Sequence, residues 1–505
     1  MVQDTGLRDQ MERYFAGTTP PAPADGQPAW TFTPSIGLEQ GWTNNATQIG
    51  TGKPSAITTI RPGLLINGES QRLKGTVNLQ PDGTIYEGQN SQSQIGLNGS
   101  ADLLVTVVPE AFFVDIRGMA SQYPAGGGYA PSSVGTLSRS NSIQTFSGAV
   151  APYLQHRFGD LGIGEIGGSV GHTVQLGYGG YNVSAVPGQS ANEDLTTYNE
   201  HAVFKTGSAF GRSSGQFSAT GAQFDGTGAL SGAYAYNVGI QYGYGVTRQL
   251  MPLGEIGWED IYYSGVSPFR ANNMTWAAGA KWTPSPESEF FLTYGRHFGR
   301  YGFTGNASMA LSARSRLYGS YSQQVTSNTQ TLQSTLALAQ IDPFGNPVNP
   351  VTGAPVLVGQ NLYGSVGGGA VYYATMASVG YALLLERDVI NLSVNQSKQQ
   401  GLTGETLAAA NAQTNAVFGA INWTHNFTVD TALSAYFQYG ANNNNTFTSN
   451  QHTRPIVGSA TLHHALSDKL NVYIRYTYSN GAQINYVGQA TQNVSLVAVG
   501  LLKTF

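Results

Sequence analysis

Three places in the chain carry residue types and spacings that could do chemistry. Gly162-Ile163-Gly164-Glu165-Ile166-Gly167 has the GxGxxG spacing that lets a backbone approach a dinucleotide pyrophosphate. Gly211-Arg212-Ser213-Ser214-Gly215 has the GxSxG spacing of a nucleophile elbow. His463 and His464 are adjacent imidazoles. Each pattern takes its meaning from the element that holds it. GxGxxG must open a helix, GxSxG must turn a strand into a helix, and two ligands for one metal must share a face. Here the first lies inside an alternating apolar/polar stretch with no helical pattern after it. The second falls between two such stretches and reads as a hairpin turn. Neighbouring residues on a strand point to opposite sides, so the two histidines cannot easily share one ion. Chance glycine matches are expected in a chain with 65 glycines. Cysteine is absent, which removes disulfide and thiolate chemistry. No catalytic residue, metal ligand or cofactor is expected.

Another set of ionisable residues follows a pattern rather than a motif. Glu39, Arg61, Asp115, Arg117, Glu165, Lys205, Glu255, Glu259, Lys281 and Arg475 all take the polar side of period-two stretches. In the stretch from Trp30, residues Trp30, Phe32, Ile36, Leu38 and Trp42 share one parity, and Thr31, Thr33, Ser35, Gly37 and Glu39 the other. Tyr234, Tyr236, Val238, Ile240, Tyr242, Tyr244 and Val246 interleave with Ala235, Asn237, Gly239, Gln241, Gly243 and Gly245. The same holds for Met274, Trp276, Ala278 and Trp282 against Thr275, Gly279 and Lys281, and for Leu470 to Tyr478 against Asn471, Tyr473, Arg475 and Thr477. Such strands have one greasy and one polar face. A helical stripe is not evident outside residues 2–27 and 402–411.

Connections alternate in length. Short ones fall near 68–71, 108–111, 158–161, 211–214, 283–288, 385–388 and 466–469. Longer Gly/Asn/Ser/Pro-rich ones fall at 44–55, 81–90, 122–140, 181–198, 327–368, 399–414 and 441–453. Roughly 22 segments result, or 18–20 if some merge. Hairpins with short turns at one end and long loops at the other describe a single antiparallel transmembrane β-barrel of about 22 strands. Composition agrees. Only 10% of the 505 residues are charged, and 28 tyrosines outnumber the 24 lysines and arginines. A hydrocarbon-facing surface closes about half of the strand positions to charge, because Lys or Arg there costs about 2–4 kcal/mol at the midplane. Trp30, Trp42, Tyr178, Trp258, Tyr262, Trp282, Trp423, Tyr439 and Tyr478 lie near segment ends, where aromatic girdles would place them. A soluble sandwich of this size should divide into domains, and no linker interrupts 30–505. A net charge of −4 gives no basic field for nucleic acid, and 11% aromatics argue against disorder.

The start, Met1-Val2-Gln3-Asp4, has no signal-peptide pattern; an exported chain would have lost its leader. Residues 1–29 read as a periplasmic N-terminal stub with the Pro-rich tether Thr18-Thr19-Pro20-Pro21-Ala22-Pro23, and 30–505 as the barrel. About 29 residues before Trp30 are too few for the plug of more than a hundred that a TonB-type transporter needs. An autotransporter would need a passenger domain. In the longest loop, 327–368, the apolar pieces Leu336 to Ile341 and Pro355 to Val358 would be odd in solvent. The segment is expected to fold into or across the pore mouth, with a surface excursion or an extra hairpin as the alternatives.

The first hairpin carries the most specific text. Trp30-Thr31-Phe32-Thr33-Pro34-Ser35-Ile36-Gly37-Leu38-Glu39-Gln40-Gly41-Trp42-Thr43-Asn44-Asn45, followed by Ile57-Thr58-Thr59-Ile60-Arg61-Pro62-Gly63-Leu64, resembles the opening of the β-barrel porin 2 family. That family includes outer-membrane barrels associated with exosortase and exopolysaccharide genes. The terminal Phe505, after Val497, Val499 and Leu501, resembles the signal read by the bacterial barrel-insertion machinery, with Lys503 departing from it. The resemblance implies a bacterial outer-membrane location, contact with outer-membrane lipid and lipopolysaccharide, and no enzymatic activity. It implies a porin-like channel, most specifically an outlet for secreted polysaccharide working with periplasmic export components. The ten charged residues above would line its pore, with Phe113, Tyr263 and Tyr473 as lumen aromatics. The alternatives are a structural or adhesive barrel and, behind it, a barrel-embedded hydrolase.

Overall fold

Strand alternation becomes a ring. The computed structural model describes residues 30–48, 52–124, 138–139, 142–178, 193–342, 347–348, 370–445, 450–481 and 492–505. The expected stub and tether at 1–29 lie outside them, as does much of the longest loop. Fifteen strands come first: β1 (Trp30–Thr43), β2 (Ser55–Glu69), β3 (Leu73–Tyr86), β4 (Gln94–Val108), β5 (Phe112–Pro124), β6 (Ser142–Arg157), β7 (Gly162–Tyr178), β8 (Glu193–Thr206), β9 (Ser213–Gly226), β10 (Ala233–Tyr244), β11 (Leu250–Tyr263), β12 (Phe269–Ser285), β13 (Ser288–His297), β14 (Arg300–Ser312) and β15 (Ser315–Ser327). After helix α1 (Asn328–Leu336) come β16 (Val371–Leu384), β17 (Asp388–Thr403), the short helix α2 (Leu407–Ala410), β18 (Gln413–Asn426) and β19 (Thr431–Asn445). β20 is in two pieces, Asn450–Thr453 and Ile456–Ser467, both paired with β19; β21 (Leu470–Gly481) and β22 (Gln492–Thr504) complete the set. The break in β20 falls at Arg454-Pro455, where proline has no N–H to give the ladder.

Every strand pairs antiparallel with its sequence neighbours, and β1 pairs β22 from Ser35↔Thr504 to Thr43↔Leu496. The result is a closed barrel of 22 strands. Closure leaves no unpaired edge, which a hydrocarbon environment requires. Pro34 sits just below the last β1–β22 pair, and its carbonyl accepts the backbone N–H of Phe505 at 3.0 Å. Pro62 and Pro81 face each other where the β2–β3 ladder skips from Ile60↔Gly83 to Leu64↔Leu79.

The two faces follow the parity expected from the sequence. Phe32, Leu38, Trp42, Tyr236, Val238, Ile240, Tyr242, Ile474 and Val499 are exposed on the outside, while Glu39, Thr59, Arg475 and Thr477 are buried inside. The aromatics near strand ends face outward; Trp423 also donates from Nε1 to Asp388 Oδ1 at 2.8 Å, as suits a ring at a membrane interface. The side chain of Tyr178 lies outside the described residues. At the short-turn rim Lys503 Nζ lies 5.6 Å from the centre of the Phe505 ring, so the lysine that departs from the terminal pattern covers the terminal aromatic.

Several strands outrun their sequence bounds. Residues expected in the loops at 81–90, 122–140, 181–198, 399–414 and 441–453 belong partly to β3, β5, β8, β17, β19 and β20, and β7 and β12 reach 17 residues. About 9–11 tilted residues suffice to cross the hydrocarbon. Beyond it both faces meet water or protein, so alternation fades while backbone pairing continues. The nine-residue α1 also corrects the sequence reading, which saw no helix there. It opens with a capping box: Ser327 Oγ accepts the N–H of Gln330 at 3.1 Å, and Gln330 Oε1 accepts that of Ser327 at 2.8 Å.

Candidate functional site

The three motifs meet the context expected of them. Gly162 to Gly167 begins β7, a strand, and Gly211 sits at φ 61° in the β8–β9 turn. His463 faces the interior with Tyr473 across from it, while His464 faces outward and bonds Thr431 Oγ1 at 2.8 Å. Among the described residues no group of three or more His, Asp or Glu could hold a metal ion.

All ten charged residues singled out above lie on the inner face, where Glu39 meets Arg475 and Asp115 meets Arg117. Arg475 reaches both oxygens of Glu39, at 2.6 and 2.7 Å, and Tyr473 donates to the same carboxylate at 2.7 Å. The residue between them on β22 is Gly500; a Cβ there would overlap the Tyr473 ring, so glycine is what lets the phenol cross the strand. Arg61 is buried beside Asp82, which also accepts from Asn98 Nδ2 at 3.0 Å. Arg117 forms a two-point pair with Asp115 at 3.1 and 3.0 Å. Glu165 lies 3.0 Å from His201 Nε2, and Lys281 pairs with Glu289 at 2.9 Å. Lys205 and Glu255 keep the inward parity of buried Val203 and Leu253. Glu259 is 1% exposed and accepts the backbone N–H groups of Phe298 and Gly299, at 2.9 and 3.0 Å. Its carboxylate anchors the β13–β14 tip.

The interior is crossed by residues 328–342. They leave the end of β15 and finish against β3 and β4. In a ring of 22, β15 and β4 are eleven strands apart, on opposite walls. The first part of this bridge is held by Tyr372 to Asn328 at 2.5 Å, Thr329 to Glu193 at 2.7 Å, Gln330 to Tyr263 at 3.4 Å and Thr197 to Gln333 at 2.9 Å. The middle buries Leu332, Leu336, Ala339 and Ile341 against Met119 and Tyr123 of β5. At the far end Asn78 and Gln80 donate to the carbonyls of Ile341 and Asp342 at 3.0 and 2.9 Å, and Ser100 Oγ accepts the N–H of Ile341 at 3.3 Å. Of the loop expected at 327–368, the described part from 328 to 342 folds into the lumen. A two-residue ladder, Gln340–Ile341 with Pro347–Val348, continues beyond it. The apolar piece at 355–358 lies outside the described residues.

One side of the long-loop mouth is filled from within. Leu195, Phe224, Leu230, Ile261, Tyr263 and Val371 form an apolar cluster between β8–β11 and the start of β16. Above the short β13–β14 hairpin, the β11–β12 loop meets the β17–β18 loop: Thr403 Oγ1 donates to the carbonyl of Ser264 at 2.7 Å, and the N–H of Val266 to that of Gly404 at 3.0 Å. On the other side a cavity of about 320 Å³ remains between the bridge and the wall of β22 and β1–β6. Asn78, Ser100, Asp102, Arg117, Gln333 and Leu338 are among its lining. Asp102 makes no hydrogen bond among the described residues.

Sequence reasoning missed Asp82, Asp102, His201 and the bridge's anchors Glu193, Thr197 and Gln333. Asp102 and His201 share strand parity with Ser100 and Thr197, a signal that was present. By sequence Asp82 falls in a loop, between Pro81 and Gly83. Gln333 had only the capping box of α1 to announce it.

No family model matches the chain, and no curated protein sequence matches it. Solved structures do. The FrpB iron transporter of Neisseria meningitidis (F5-1 variant, apoprotein) aligns with a TM-score of 0.52 at 10% identity, over 95% of this chain and 81% of that one. Its F3-3 variant gives 0.51 at 10% identity, over 98% and 83%. The ferric-catecholate import receptor Fiu of E. coli K12, in its open form, gives 0.51 at 11% identity, over 94% and 82%. At such identities the likeness is one of fold, a large outer-membrane type of antiparallel barrel.

Proposed function

We propose that the chain is an outer-membrane channel for small hydrophilic solutes whose passage is narrowed by the 328–342 bridge. The bridge is the observation that carries this reading. It is tied to polar side chains of the inner wall on opposite sides, and it leaves on one flank a cavity whose lining mixes Asn78, Asp102 and Arg117 with apolar Met119, Leu336 and Leu338. A wall-brace would not need to cross the barrel; a constriction does. The fold shared with an iron transporter and a ferric-catecholate import receptor supports transport as the class of activity. The narrower reading, an outlet for secreted polysaccharide, rests on the resemblance of the first hairpin. The aromatics that would form a sugar track give it no help: Tyr263 and Tyr473 are buried and hydrogen-bonded, and Phe113 is stacked on Tyr153 at 5.2 Å.

The test is conductance in planar bilayers. Purified barrel should show discrete steps, and a variant with residues 328–369 replaced by a short Gly-Ser linker should show steps several-fold larger. Silence of both proteins, each confirmed folded by heat-modifiable migration, would overturn the channel reading. Equal steps from both would overturn the bridge as its constriction.

A further inference from the structure

The cavity beside the bridge has a charge that a plain constriction does not need. Its wall is built in rows. Thr76, Asp102, Arg117 and Ala149 are cross-strand partners along β3 to β6. Asn78, Ser100, Met119 and Ser147 form the next inward row, two residues nearer the long loops. The bridge is anchored in that second row, at Asn78 and Ser100. Asp102 therefore lies on the short-turn side of the anchors.

Asp102 and Arg117 are the charged side chains of the lining among the described residues, and they do not cancel. Arg117 gives Nε and Nη2 to the two oxygens of Asp115, at 3.1 and 3.0 Å, and its Nη1 lies 3.5 Å from the carbonyl of Ala337. One guanidinium thus stands between two carboxylates, and the group keeps a net negative charge. Leu336, Ala337 and Leu338, where α1 ends, line the cavity opposite this wall and add the negative end of a helix dipole. Among the neutral groups, buried Gln80 gives its hydrogens to Asn78 Oδ1 at 3.1 Å and to the carbonyl of Asp342 at 2.9 Å, while its Oε1 has no donor. The unpartnered donor Gln333 Nε2 is turned toward β7, 3.1 Å from where a Cβ of Gly171 would stand.

Leu65, Met119, Leu338 and Leu502 give the same space apolar surface, and about 320 Å³ is of small-molecule size. An anion would find Arg117 already held by both oxygens of Asp115. A neutral polyol would leave the charge uncompensated and the leucines without an apolar partner. We propose that the cavity binds a small organic cation, its ammonium at Asp102 and its apolar body against Met119 and Leu338. As the class of a transported solute this rests on the channel reading; as a binding site it can be measured without conduction.

Isothermal titration of the barrel in lipid nanodiscs, with empty nanodiscs as the blank, tests this with three probes that share one apolar body: benzylammonium, benzyl alcohol and benzoate. Benzylammonium should bind about ten-fold more tightly than benzyl alcohol, the scale of one hydrogen bond to a charged group. Benzoate should bind least. Asp102→Asn, a nearly isosteric change, should bring benzylammonium down to the level of benzyl alcohol and leave the alcohol unchanged. Leu338→Ala, on the bridge, should weaken both several-fold. Equal binding of the three probes, binding of none, or an undiminished preference for benzylammonium in folded Asp102→Asn would each overturn the site. Such a result from a barrel that conducts would leave the channel standing, whereas benzylammonium bound to a barrel silent in bilayers would keep the site and remove the channel.

Discussion

Arg475 and Glu39 are 4% and 5% exposed, yet both carry charge inside a barrel wall. Such a pair holds because each charge has its opposite and Tyr473 fills a remaining acceptor position. Removing one partner leaves the other buried alone. Arg475→Ala should therefore destabilise the barrel by about 3–5 kcal/mol, read from the urea midpoint of tryptophan fluorescence, whereas Glu39→Gln with Arg475→Met should recover most of that loss. The inward direction of both residues follows from period-two spacing alone. Their pairing does not, because Glu39 lies on β1 and Arg475 on β21, and only ring closure through β22 brings them within reach. Gly500 shows the same limit: the sequence displays a small residue, and the space it leaves for Tyr473 exists only in the folded wall.

Among the elements, the β13–β14 hairpin depends on one side chain beyond its ladder. Glu259 takes two N–H groups at the tip, so Glu259→Ala leaves both without an acceptor. Amide exchange at Phe298 and Gly299 should quicken by about 10–100-fold with the strands unaffected, since hydrogen bonds to charged groups contribute about 1.5–3 kcal/mol. Uniform loss of protection would instead mean that the residue braces the whole wall. Strands were the most legible elements in the sequence because a greasy outer face forces alternation. Their extensions past the membrane were not: Asp82 and Thr84 on β3 and Thr197 on β8 keep the inward alternation, but Pro81, Gly83 and Thr196 beside them show no greasy outer face in the sequence. Helix α1 was hidden for another reason: its buried residues include Asn328, Thr329 and Thr331, polar groups that bond the lumen wall instead of forming an apolar stripe.

For the whole molecule, the charges near the cavity nearly cancel. Glu39 matches Arg475, Arg61 offsets Asp82, and Arg117 stands between Asp115 and Asp102, so four carboxylates face three guanidinium groups. The C-terminal end of α1 faces the same cavity and adds the negative end of a helix dipole. A conducting barrel should therefore prefer cations, and Asp102→Asn should move the reversal potential in a potassium chloride gradient toward zero. A wild-type channel with no preference, or one unchanged in Asp102→Asn, would rule this out. The barrel and its approximate strand number were readable because they follow from repeated local hairpins. The filled mouth was not, because the contact of Val371 with Leu195, Leu230 and Tyr263 joins segments distant in sequence.

The ring closes where Ser35 meets Thr504 and the Phe505 amide meets Pro34. That seam has a temporal consequence. Hairpins can zip locally as the polypeptide emerges, but the final ladder joins segments at nearly maximal contact order, so every earlier intermediate exposes two raw margins. A pulse of competing β-strand peptide should therefore trap the wall only before the seam has formed.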